Sequence, residues 1–421
     1  MKNGASILIG LMTCLVASGL GWAADSVDQA IKSVPAAGGH DAAGHDKSKM
    51  WQSALTREPL AATARFDKKG RLWRASVKEG RVLVSFSDDK GNTFSTPVQV
   101  NATPEFVAAD GENRPKLLLA DNGNIYVSYT QSLETPFTGN IRFSRSVDGG
   151  KSFSPPITVN DNHDVIAHRF DSMGINKRGQ IYLAWLDKRD AAIAKSKGEA
   201  YTGLAVYYAV SRDQGESFSA NIKLADHSCE CCRIGMAVDK DDTPVIVWRH
   251  VFGKNIRDHA LQRLDGKSPL QRLSEDNWAV DACPHHGPAI SIAGDGLYHT
   301  VWFSNAPEQR GLFYAQSSNQ GKSFSEPLPF GNFDAQASHP DVLSLGRQVF
   351  IVWKEFDGEA NVIYRVQSRD HGKSWSQPTK IASTAGNADY PLLVNKRNEV
   401  FVSWNTVEDG YYLIKPSKIK P

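Results

Sequence analysis

The sequence predicts an all-β protein: a β-propeller of four-stranded antiparallel blades, seven in number, with six as the alternative count. Three observations carry that expectation. One octapeptide recurs five times in the 421 residues. Short apolar strands recur with it, the second of each set often ending in Trp. No long amphipathic helix is evident between them.

The first octapeptide is Ser87-Asp88-Asp89-Lys90-Gly91-Asn92-Thr93-Phe94, and it returns at 146–153, 211–218, 317–324 and 368–375. The pattern is Ser-x-Asp-x-Gly-x-Ser/Thr-aromatic, with Asn319 once in place of Asp. The Asp carboxylate can accept amides of its own turn, the Gly permits a positive φ, and the aromatic can bury itself between sheets. The octapeptides are therefore expected to be turns joining the third and fourth strands of a blade. They are assigned no catalysis.

The first two strands of each unit fall near 62–74, 115–129, 172–185, 233–248, 288–302, 340–353 and 390–404, which gives seven. The unit at 231–273 has no clear octapeptide. The last unit stops before a fourth strand, so a strand from the segment before Ala62 is expected to close the ring.

The octapeptide resembles the Asp-box, or BNR, repeat of bacterial sialidases and related propellers, over most of residues 60–416. That resemblance implies a sialidase-like propeller, and known sialidases have six blades. It also implies three arginines on a substrate carboxylate, a Tyr nucleophile activated by Glu, and an Asp acid/base. The family's Arg-Ile-Pro motif before the first box has no counterpart in Ala61-Ala62-Thr63-Ala64-Arg65-Phe66-Asp67; Arg114-Pro115 and Arg233-Ile234-Gly235 are partial echoes. Fold alone does not license the activity, so enzyme status stays open.

Domain organisation follows. Residues 1–24 read as a signal peptide: Lys2, an apolar run from about Ile7 to Leu20, then small residues ending at Ala24. Residues 25–50 read as a flexible leader, where His40 and His45 are solvated, and 51–421 as the propeller. The protein is expected to be periplasmic or secreted, with Cys14 removed and no membrane span after signal removal. Lys+Arg total 48 against 46 Asp+Glu, a net +2, which gives no reason to expect nucleic acid as a partner. No protein partner is indicated.

Blade topology aligns the residues that precede each first strand on one face of the disc: Arg114-Pro115, His168-Arg169, Cys232-Arg233, His285-His286, His339-Pro340 and Tyr390-Pro391. Turns after the second strands add Asp187, Arg189, Arg249, His250, Lys354 and Glu355. The mature cysteines form two clusters, Cys229-Glu230-Cys231-Cys232 and Cys283-Pro284-His285-His286. Exported cysteines point to at least one disulfide. Thiolates with imidazoles also suit a transition metal, copper first and zinc as the alternative. The candidate donors are Cys229, Cys231, Cys232, Cys283, His285, His286, His168 and His339. The alternative ligand is a glycan held by Arg114, Arg169, Arg189, Arg233 and Arg249, with Asp187, Glu355 and Tyr390 as weak catalytic candidates.

Overall fold

A computed structural model describes residues 58–415. The expected signal peptide and leader lie outside the described residues. The propeller has seven blades, spanning 63–99, 116–158, 168–228, 235–272, 289–330, 338–384 and 392–414. Blades 1 to 6 each hold four antiparallel strands in chain order, and blade 7 holds three. The first strands, such as Thr63–Phe66, Lys116–Leu119 and Gly235–Val238, neighbour one another in ring order, and Leu392–Lys396 of blade 7 returns to Thr63–Phe66 of blade 1.

The octapeptides sit where expected, each Ser ending a third strand. In the copy at 211–218, Ser211 Oγ donates to Asp213 Oδ1 at 2.8 Å and accepts the Gly215 N–H at 2.8 Å. The Ser217 N–H and hydroxyl donate to the two Asp213 oxygens. Burial pushes the Asp213 carboxyl up, but these bonds outweigh it and hold it down at about 2. The glycine also has an inter-blade role. Gly215 has φ +81, and a Cβ there would lie 2.5 Å from Phe143 of the preceding blade. Blade 4 builds a shorter version: Ser268 donates from both its N–H and its hydroxyl to Asp265, which explains the missing octapeptide.

The strand-end tryptophans fill the spaces between blades. Trp185, Trp248, Trp302, Trp353 and Trp404 are all fully buried. A buried indole N–H needs an acceptor. Asp187, Asp276 and Glu355 serve Trp185, Trp302 and Trp353, and the Asp389 carbonyl serves Trp404.

Described residues 58–62 form no strand, and the rest of the segment expected to close the ring lies outside the described residues. Side chains stitch the described part of the seam: Asn405 Nδ2 donates to the Leu60 carbonyl at 2.8 Å, and the Ala62 N–H donates to Asp389 Oδ2 at 3.1 Å. Arg114 grips Asp389 through two bonds of 2.7 Å and also donates to the Ala62 carbonyl. Blades 1, 2 and 7 are thereby tied together. Among the described residues one helix, α1 (Arg189–Lys197), follows the second strand of blade 3; the sequence reading did not anticipate it.

Candidate functional site

Below the mouth, first strands enclose a cavity of about 500 Å³, lined in part by Arg65, Glu112, Arg114, Lys116, Arg233 and Asp341. Above it, the loops aligned from sequence do converge, but on a residue that was not singled out. Glu112 spans the channel. Its Oε2 accepts the Arg233 N–H at 3.0 Å and the Gly287 N–H at 2.8 Å. Its Oε1 lies 3.3 Å from Arg233 Nη1 and 3.2 Å from His339 Nδ1. One carboxylate of blade 2 thus ties together loops entering blades 4, 5 and 6. Burial pushes Glu112 up, but the Arg233 charge and the His339 hydrogen bond outweigh it and hold the carboxyl well below the usual range. Its position two residues before Arg114 was the available sequence signal, and the aligned window stopped short of it.

Rings continue the convergence. His339 stacks on Tyr390 with centroids 3.4 Å apart and planes at 11°. His286 lies 4.4 Å from His339, and Lys354 Nζ lies 5.2 Å from the Tyr390 ring centre. Gly111 makes room for this stack, since a Cβ there would lie 1.9 Å from the Tyr390 ring. Burial draws His339 down to about 4, against its bond to Glu112.

The remaining charged candidates have other engagements. Asp187 is fully buried, accepting from the Trp185 indole and from Arg189. Arg189 also reaches Asp161 at 2.7 Å. Glu355 accepts the Trp353 indole and the Asn332 N–H. Arg249 is buried and donates to the Arg257, His286 and Phe303 carbonyls. Arg169 lines a smaller cavity beside Asp110, and its Nε has no hydrogen-bond partner.

The sulfur site stands apart from the imidazoles. The Sγ atoms of Cys229, Cys231 and Cys232 lie 3.8–3.9 Å from one another. They sit in the apolar cluster between blades 3 and 4, beside Phe170 and Trp248. Cys283 packs against the same cluster. Arg257 Nη1 donates to Cys229 Sγ at 3.1 Å. Hydrogen bonds from the other two thiols, then the Arg257 and Arg249 charges, hold Cys229 well below the ordinary thiol range against its burial. Burial and the Cys229 charge push Cys232 up, and the bond to Cys229 pushes Cys231 up.

Two expectations are corrected here. All four described cysteines are free, so the expected disulfide is not present; the thiols meet at contact distance rather than the roughly 2.05 Å of a bridge. Nor do sulfur and imidazole share one donor set: among the described residues, only Cys229, Cys231 and Cys232 bring three ligand atoms within 4.8 Å. His286 and His339 belong to the Glu112 assembly, and His285 is exposed. His168 is buried against the Gly139 carbonyl and Asp187.

No protein-family profile matches the chain, and no curated protein matches it in sequence. Similar solved structures exist at low identity. An ulvan lyase of polysaccharide lyase family PL25 is 12% identical, covering 86% of this chain and 94% of its own, with a TM-score of 0.55. The polysaccharide lyase Uly1 is 8% identical, covering 86% and 91%, with a TM-score of 0.51. The intramolecular trans-sialidase of Ruminococcus gnavus is 12% identical, covering 75% and 98%, with a TM-score of 0.48. At these identities the likeness extends to the fold alone, and membership of the Asp-box family does not follow from it.

Proposed function

We propose that this is an exported propeller that binds a soft transition metal, Cu(I) first, through Cys229, Cys231 and Cys232. The observation that carries the reading is the buried thiol triad with its ligand atoms all within 4.8 Å. Soft thiolate donors suit Cu(I), zinc and iron–sulfur clusters, and three sulfurs match the low coordination number of Cu(I). Zinc, the alternative, favours four ligands. It would need Cys283 as well, because no imidazole joins the triad. Arg257 offsets part of the thiolate charge that metal binding requires.

The test is metal analysis of the protein isolated without oxygen from its native compartment, together with a free-thiol count. About one copper per chain is expected, lost in a Cys229→Ser/Cys232→Ser variant. Metal-free protein with reduced thiols would overturn the reading.

A second reading, glycan binding or cleavage at the mouth, has its own observation. Tyr390, His339, Arg233 and Lys354 gather above a cavity of about 500 Å³, a size usual for ligand sites. The fold is shared with polysaccharide lyases. A screen of uronic-acid polysaccharides and fluorogenic sialosides tests this. Turnover lost in Tyr390→Phe would support it, and neither turnover nor binding would remove it.

A further inference from the structure

Resting on the metal reading above, we infer that Cys283 is the entry ligand through which the metal reaches the buried triad. The triad is closed to solvent: Cys229, Cys231 and Cys232 are 1%, 5% and 2% exposed. Cys283 is the one described cysteine that is not buried. It lies on the loop between blades 4 and 5, two residues from Asp281, whose side chain is 95% exposed, and two from exposed His285. Cys283 also packs against the apolar cluster that holds the three thiols, so one residue borders both the open loop and the closed site.

Arg257 fixes this loop over the triad. Its Nε donates to the Val280 carbonyl at 2.8 Å, its Nη2 lies 3.8 Å from Asp281, and its Nη1 holds Cys229. The entry loop and the innermost thiol are thereby pinned by one side chain.

The transfer would be a ligand exchange. Cys283 would bind an incoming Cu(I) complex, its thiol proton passing to water, and the carrier's ligand would leave as a sulfur of the triad takes its place. Each triad thiol that binds the ion would release its proton to water, and Cys283 would regain a proton from water as its own bond to copper breaks. Copper remains Cu(I) throughout, so no oxidant or reductant is consumed. Low-coordinate Cu(I) suits such exchange, because a third sulfur can bind before the first departs.

The experiment uses reduced, full-length mature protein and Cu(I) supplied as its bicinchoninate complex, with uptake followed by stopped-flow loss of the complex. Cys283→Ser is expected to slow uptake at least tenfold while leaving the equilibrium affinity within about threefold. Alkylation of the accessible thiol in folded apo-protein should hit Cys283 first and reproduce the slowing. Cys229→Ser should lose affinity. An unchanged rate in Cys283→Ser, or an affinity loss equal to that of Cys229→Ser, overturns the entry role alone. Failure of the wild-type protein to take up Cu(I) overturns the metal reading itself, and the entry role with it.

Discussion

Glu112 and Arg233 meet across the channel although 121 positions separate them: the Arg233 N–H donates to Oε2 at 3.0 Å, and its guanidinium lies 3.3 Å from Oε1. A buried charge pair holds little net stability when intact, but breaking it strands the partner. Glu112→Ala is therefore expected to cost about 3–5 kcal/mol. Glu112→Gln should cost less, since it still offers an acceptor. Urea unfolding of both variants checks the order.

Acid should destabilise the fold well above the carboxylate range. Burial draws His339 and His299 down to about 4 from 6.5. His339 faces Glu112, Arg233, Lys354, Tyr390 and His286; His299 faces Tyr314, Asp295 and His371. Both folded values lie below the unfolded one, so the unfolded chain binds more protons between them. Stability is then full above pH 6.5 and falls as pH drops toward 4, by about 3 kcal/mol per group. Urea midpoints at pH 7.5, 6 and 5 test this, and a flat profile would refute it.

The octapeptide glycine should tolerate no side chain. Gly215→Ala places a Cβ 2.5 Å from Phe143 at φ +81. A loss of about 2 kcal/mol or more is expected from the strain and the displaced ring. Gly294→Ala, with nothing within 4 Å and no positive φ, should stay within about 0.5 kcal/mol. Thermal melts of the pair decide it.

The ring seam should depend on one carboxylate. Asp389 is buried and receives the Arg114 guanidinium and the Ala62 N–H. Asp389→Ala should cost about 3–5 kcal/mol and increase amide exchange in both blade 1 and blade 7. Loss confined to one of those blades would argue against a shared clamp.

The blades were legible because the octapeptide marks a turn whose Ser, Asp and Gly each do a local job. The recurring pairs of first and second strands then set the count of seven. The face carrying the mouth was legible too, since Arg114, Arg233, His286, His339 and Tyr390 occupy equivalent positions. What that alignment cannot give is depth. Cys232 turns toward the apolar cluster between blades 3 and 4, while Arg233, next to it, turns to the channel. Sulfur and imidazole therefore separate despite adjacent positions. Glu112 was missed because one acidic side chain among basic loops reads as a surface charge. Its burial depends on partners up to 227 positions away. Asp187 and Glu355 were read as possible acids because nothing local shows that each serves the indole two residues before it.

The two loops that carry every described thiol are also the loops that hold Glu112: Cys232 precedes Arg233 directly, and Cys283 lies four residues before Gly287. Sulfur chemistry and channel closure are thus two ends of one short lever. Oxidation or metal loading of these thiol loops is therefore expected to disturb the contacts of Glu112 with Arg233 and Gly287 at the channel mouth.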